Sequence, residues 1–212
     1  IGSVAAEEGF GPSLTLAADS GIIGGIPLSG LDMGAAVNAE AELKMADMFD
    51  ICHGGGLDLC ALGLAEIDAM GNVNVSKFHG RVTGPGGFID LAQPTKKLIL
   101  MGTFTAGGLR EHCENGQLVI DREGKYQKFK RHIEQVTFSG DYAAAHGQHV
   151  LVVTERAVFR LTPQGLMLTE IAPGVDLERD ILGQMEFRPV IADDLRRMDS
   201  RIFQPGPMRM SM

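Results

Sequence analysis

Residues 14–25 read Leu-Thr-Leu-Ala-Ala-Asp-Ser-Gly-Ile-Ile-Gly-Gly. Leu14 to Ala18 is an apolar run of the length expected for a buried strand, and Asp19-Ser20-Gly21 is a turn signal that ends it. Asp19 is therefore expected at the carboxyl end of a strand, the edge of an open α/β sheet at which ligands bind. Gly24 and Gly25 follow, with backbone N–H groups able to come close to a ligand. A carboxylate in that place can act as a nucleophile or a general base; its plainer reading is a turn or cap residue.

Similar patterns recur along the chain. After His53-Gly54-Gly55-Gly56-Leu57-Asp58 comes a second apolar run, Leu59 to Ile67, and the turn signal Asp68 to Asn72 leads into the period-two stretch Val73 to Phe78. Residues 59–78 are thus expected as a tightly joined strand pair. Gly84-Pro85-Gly86-Gly87 is the next loop, and Leu98 to Thr103 is a strand followed by the loop Gly107-Gly108. Further strands are expected at 118–121, 135–139, 150–154, 157–161 and 166–171, apolar enough for a sheet covered on both faces. Helices are expected at 35–45, 141–146, 176–185 and 193–200, the third with Asp176, Glu178 and Asp180 near its positive dipole end. With no linker or repeat, the chain reads as one α/β domain over 1–203, an open, mostly parallel sheet with helices on both faces, and a loose tail over 204–212. Ile1 to Gly9 reads as the last turns of a helix whose beginning is absent, so a fragment or a processed chain is expected.

The 212 residues, 22.7 kDa, carry 19 Lys and Arg against 27 Asp and Glu, a net charge of −8. Such a chain can bury roughly 70% of its unfolded surface without staples. It lacks the broad basic field that nucleic acid or an anionic membrane requires, and an uncharged, mainly apolar run such as Leu98 to Leu109 is shorter than the ~20 residues of a membrane span. Three cysteines without CxxC spacing and no signal segment point to a reducing cytoplasm. Glycine is the outlier at 28 residues, 20 of them within 1–110. The pairs His146/His149 and Cys52-His53 lack further ligands at site-like spacing, so no metal is expected. Lys125, Lys128, Lys130 and Arg131 read as a solvated face or, alternatively, as partners for phosphates. Glu155 and Arg156 are expected as an ion pair near a strand end, and the eleven methionines as core and tail filler.

The stretches LTLAADSGIIGGIPLSG, FDICHGGGLDLCALGLAEIDAMGNVNVSKF, GPGGFIDLAQ, MGTFTAGGL, VTERAVFRLTPQGLMLTEIAPGVDL and DILGQMEF, in this order, resemble family I CoA-transferases of the acetate or propionate type. The resemblance covers nearly the whole chain and corresponds to the second of the family's two similar domains, without its opening strand. It implies a CoA-transferase-like, Rossmann-like three-layer domain that acts on acyl-CoA and small carboxylic acids, with CoA as substrate and covalent intermediate and no permanently bound cofactor. It also implies an N-terminal half or subunit as partner, a homo-oligomer, and no activity for the chain alone. In the family a glutamate attacks the acyl-CoA, forms an acyl anhydride and is captured by CoA thiolate as a glutamyl thioester; an incoming acid then takes the CoA.

By motif, the family's ESG-x-I-GG glutamate falls on Asp19, and its GxGGF loop, source of an oxyanion N–H and CoA contacts, falls on Gly84, Gly86 and Gly87. Gly24, Gly25, Gly54, Gly55, Gly107 and Gly108 are expected to shape the CoA and substrate site. The chain departs from the family pattern at Asp19 itself, at His53, where relatives carry Asp, and at Pro85, where they often carry Cys. Removing one methylene withdraws the carboxylate by more than about 1 Å, a displacement able to cost around a hundredfold in rate. Three outcomes stay open: an aspartyl-CoA thioester, an acyl-CoA hydrolase with Asp19 as general base, or a non-catalytic CoA-binding or subunit-pairing domain.

Overall fold

The computed structural model describes residues 2–28, 30–32 and 34–210. Its backbone divides into two compact units, Leu57–Gln204 and Ile1–Gly56 with Pro205–Met212.

The larger unit is built on a six-stranded sheet: β1 (Cys60–Gly63), β2 (Lys97–Met101), β3 (His149–Val153), β4 (Ala157–Thr162), β5 (Gly165–Ile171) and β6 (Val190–Arg197). Each strand pairs with the next in chain order. β1–β2, β2–β3 and β5–β6 are parallel, β3–β4 and β4–β5 antiparallel. Antiparallel neighbours need only tight turns, whereas parallel ones need crossovers, and the crossovers here carry helices Phe88–Ala92 and Gly140–Ala145. The second begins at Ser139, whose side chain accepts the Tyr142 N–H at 3.2 Å. Leu98, Leu100, Val150, Val152, Phe159 and Leu168 are buried at alternate positions of their strands. Phe104 stacks on Phe129 with centroids 4.4 Å apart, and Phe129 packs tilted against Phe159 at 5.0 Å.

The smaller unit has little regular structure: helix Gly2–Glu7, two two-residue antiparallel pairings (Ile22–Ile23 with Ala41–Glu42, Ile26–Pro27 with Ala36–Val37) and helix Met45–His53. Of the expected tail 204–212, positions 211 and 212 lie outside the described residues; within it, the N–H groups of Met208 and Met210 donate to the Glu8 carboxylate.

Several sequence expectations are corrected. Leu14 to Ala18 is not a buried strand: Leu14, Thr15 and Ala17 are exposed and only Ala17 bridges, to Ile23. The helix expected over 35–45 is replaced by the two short pairings, because Asn38 takes a left-handed φ of 56° that no α-helix accepts and the helix starts only at Met45. Residues 59–78 are not one strand pair. Glu66–Ile67 pairs with Val73–Asn74 around the Asp68 turn, and then the Asn74 side chain accepts the N–H groups of Ser76 and Lys77, both at 3.1 Å, and bends the chain out of the strand. Residues 135–139 contribute only a bridge, Val73 to Phe138. The helix at 176–185 is a π-turn, Leu177–Ile181, capped by Asp176 and followed by a 3-10 turn. Residues 193–197 belong to β6: parallel pairing with β5 overrides helix propensity, and its charges suit an exposed edge strand.

Candidate functional site

Asp19 lies in the turn Ala18–Gly21 rather than at a strand end. Gly21 donates to Ala18 O at 3.0 Å, Ala18 donates to Ile22 O at 2.9 Å, and Ser20 Oγ donates to Gly34 O at 2.7 Å. Gly21 has φ 106°, and a Cβ there would stand 2.1 Å from Leu43 O, so only glycine closes this turn. The result is an exposed carboxylate on a closely held backbone. Gly24 and Gly25 meet the neighbouring pairing strand: added Cβ atoms would fall 2.7 Å from the Glu40 side chain and 2.4 Å from Val37 O. Gly54 and Gly55 end the Met45–His53 helix, donating to Asp50 O and Cys52 O.

The remaining predicted glycines belong to the larger unit. Thr83 and Gly84 both donate to Ser76 O, at 2.9 and 3.2 Å, and Phe88 donates to Pro85 O at 3.2 Å, which pins both ends of Gly84-Pro85-Gly86-Gly87. At its tip Gly86 takes φ 55° with open space around its Cα, and among the described residues the N–H groups of Gly86 and Gly87 have no acceptor. Two amides on a held loop are free for a ligand oxygen. The loop follows directly on the hairpin Lys77–Phe78/Arg81–Val82. At the end of that hairpin His79 packs 6.3 Å, ring to ring, from Tyr126, and Tyr126 lies on Gly107, where a Cβ would be 2.6 Å from its ring. Gly108 O accepts from Arg122 Nε at 2.9 Å. The structure thus connects the loops at 84–87 and 107–108 through one aromatic contact, with residues that the sequence did not single out.

Beneath lies a charged cluster. Arg156 has no exposure; its Nε donates to Glu155 at 2.6 Å and its Nη1 to Glu123 at 2.5 Å and to Asp180 O at 3.1 Å. The expected Glu155–Arg156 pair is therefore present. Glu155 also accepts the Phe104 N–H at 2.8 Å, and Glu123 the Thr105 hydroxyl at 2.9 Å, so one arginine gathers the turn after β3 and the loop after β2. Burial, with Glu155 nearby, pushes the Glu111 carboxyl up. The basic run 125–131 is not a uniform solvated face. Lys130 pairs with Glu186, the Arg131 N–H donates to the same carboxylate, and Lys128 is buried, its amine pushed down by loss of solvent.

A groove of about 480 Å³ between Gln117–Glu123 and Arg179–Asp180 is lined by none of the predicted site residues. Among the described residues no group of three or more His, Cys, Asp or Glu could hold a metal, and no helix is long and apolar enough to cross a membrane.

No protein-family model matches the chain. Acetate CoA-transferase YdiF of Escherichia coli K12 is 50% identical to it over 208 residues, 98% of this chain and 39% of the relative. A crystal structure of acyl-CoA transferase YdiF from E. coli O157:H7, a thioester complex with CoA, superposes with a TM-score of 0.94 at 47% identity, over all of this chain and 40% of that one. The chain spans about two fifths of the length of these two. The acetate CoA-transferase beta subunit of E. coli K12 is 32% identical over 188 residues, 88% of this chain and 74% of the subunit.

A mixed, mainly parallel sheet with that superposition defines an open α/β domain of CoA-transferase fold. The likeness to the beta subunit, over three quarters of its length, completes the assignment. The chain belongs to the CoA-transferase family.

Proposed function

We propose that this chain supplies the catalytic carboxylate and the oxyanion amides of a short-chain acyl-CoA:carboxylate CoA-transferase. One observation carries the reading: the residue at the family's nucleophile position, Asp19, is an exposed carboxylate on a turn held by three hydrogen bonds, in a sequence half identical to an acetate CoA-transferase. An Asp19 oxygen attacks the thioester carbonyl, CoA thiolate leaves, and an acyl-aspartyl anhydride forms. The thiolate then attacks the aspartyl carbonyl and expels the acyl group as its carboxylate, leaving an aspartyl-CoA thioester. The acceptor acid reverses these two steps and departs as the new acyl-CoA. The N–H groups of Gly86 and Gly87 are assigned to the developing oxyanion. Gly24, Gly25, Gly54, Gly55, Gly84, Gly107 and Gly108 are assigned to holding the loops around CoA and substrate.

The complete enzyme is proposed to include the family's N-terminal half, as a domain or a subunit, to be a homo-oligomer and to work in the cytoplasm. Residues 1–203 act in it as one catalytic domain and 204–212 as a tail. Support for a partner comes from the relatives that are themselves named subunits. Intact mass of the complete protein after brief exposure to acetyl-CoA without acceptor is the test. A CoA adduct on Asp19 that disappears with acetate is expected. Release of free CoA without an adduct favours hydrolysis by water activated at Asp19, an outcome its shorter side chain makes specific. No adduct and no release overturns both readings and leaves a CoA-binding or subunit-pairing domain.

A further inference from the structure

We propose that the amino ends of β1, β2 and β3 form a binding site for a medium-chain aliphatic carboxylate, an acid of about eight carbons, whose chain lies on Ile99 and Leu151 and whose charge is held by Lys97, His149 and Arg160. None of these residues is assigned to acyl transfer, and the site does not depend on that reading.

Strand register builds the site. β2 and β3 run parallel with Lys97 opposite His149 and Ile99 opposite Leu151, and antiparallel β4 sets Arg160 opposite Leu151. Side chains two apart on a strand share a face, so all five stand on the same face of the sheet. That face is open here: Leu151 is 37% exposed, and Leu59, just before β1, is 46% exposed. These six residues line a pocket of about 310 Å³. Its wall at the start of β3 is held in place, because Gln148 Nε2 donates to Ala92 O at 2.7 Å and to Thr95 O at 2.6 Å. Such a volume falls at the small end of the ~300–1,000 Å³ spanned by ligand sites. At ~30 Å³ per water it takes about ten heavy atoms, the size of an eight-carbon acid.

Chemistry narrows the ligand. The apolar lining is leucine, isoleucine and valine, which suits a flexible hydrocarbon chain. The groups around it are basic: Lys97, His149 and Arg160 are exposed, and among the described residues none of them is in an ion pair. Two basic side chains side by side in a ladder, as Lys97 and His149 are, oppose its pairing, and an anion between them relieves this. A carboxylate can accept charge-assisted hydrogen bonds from the ammonium and the guanidinium, and the imidazole offers an N–H in either protonation state. β2 is five residues long, so the pocket at its amino end lies about 13 Å from its carboxyl end, which leads to the Gly107-Gly108 loop.

Calorimetry of the complete protein with octanoate, butanoate, octylammonium and inorganic phosphate tests the site. Octanoate is expected to bind, and butanoate roughly tenfold or more weakly, since each buried methylene is worth about fourfold. Octylammonium and phosphate are expected not to bind. Arg160→Glu and Leu151→Gln, both at exposed positions, should each weaken octanoate roughly tenfold or more, while Arg160→Lys, which keeps the charge, should stay within about threefold. Octanoate that does not bind overturns the proposal and means that another part of the complete protein covers this face. Octanoate that binds equally to wild type, Arg160→Glu and Leu151→Gln also overturns it, because the acid then sits elsewhere. Phosphate or octylammonium binding as tightly as octanoate does the same, by removing the need for a chain or for a negative charge. The transferase reading fails separately: its marker is the Asp19 adduct from acetyl-CoA, which this site does not require.

Discussion

Arg156 donates from Nε to its chain neighbour Glu155 at 2.6 Å, and the guanidinium has no solvent exposure at all. Taking that charge out of water is tolerable only because Glu123 and the Asp180 carbonyl share it. Arg156→Ala is expected to cost about 3–5 kcal/mol, since it leaves two carboxylates near one another without their cation. Arg156→Lys should recover little of it, because one ammonium cannot span acceptors placed for a planar fork. Urea unfolding measures both; a loss under about 1 kcal/mol for the alanine variant would show that the cluster does not hold these loops.

Lys128 should respond the other way. Burial pushes its amine below the ordinary value, so between its folded and unfolded pKa the unfolded chain binds more protons and stability rises with pH. Lys128→Met is therefore expected to stabilise by about 1 kcal/mol or more at pH 7. The gain shrinks as the pH rises past the lowered folded pKa and is gone above the ordinary lysine value of about 10.4, where the amine is neutral in both states. Thermal unfolding of both proteins across pH 7–10 decides it.

Acid acts through carboxylates held below their usual range. Lys130 holds Glu186 down, Arg179 holds Asp180 down, and the Gly80 N–H holds Glu134 down. Their contributions are complete above the unfolded values, near pH 4, and vanish as pH falls through the folded ones. Stability is expected to drop steeply below about pH 4, and Glu186→Gln to show a shallower drop; equal slopes would remove Glu186 from the explanation.

Asp19→Asn is expected to leave stability within about 0.5 kcal/mol, because the side chain is exposed and no hydrogen bond of the turn runs through it. The same variant should abolish the CoA adduct. Asp19→Glu, restoring the family residue, should raise transfer relative to hydrolysis; an unchanged ratio counts against Asp19 as the attacking group.

Gly86→Ala should separate function from folding. Its Cβ meets nothing, but φ 55° costs a residue with a side chain about 1–2 kcal/mol, enough to re-aim the two free amides. Transfer is expected to fall at least tenfold while the chain stays folded by circular dichroism.

The continuous apolar runs at 98–103, 150–154, 157–161 and 166–171 appear as β2 to β5 within a residue or two at each end, because a strand buried at alternate positions needs those residues wherever its partners come from. The pair Glu155–Arg156 was likewise legible, being adjacent in the chain. Residues 35–45 and 193–197 were not: their pairing partners lie elsewhere in sequence and outweigh local propensity.

By itself, then, the sequence determined the class of fold through local order and periodicity, and it carried the ordered motifs whose resemblance to CoA-transferases marks the positions of Asp19 and Gly84 to Gly87. Only tertiary structure decided that Asp19 sits on a hydrogen-bonded turn, that Lys128 and Arg156 are buried while Lys125 is not, and that Tyr126 meets His79. Those outcomes depend on which distant residue supplies a carboxylate or a ring: Glu123 stands 33 positions from Arg156. Periodicity carries no record of such long-range contacts, and they set the dielectric and the geometry in which each charge must work.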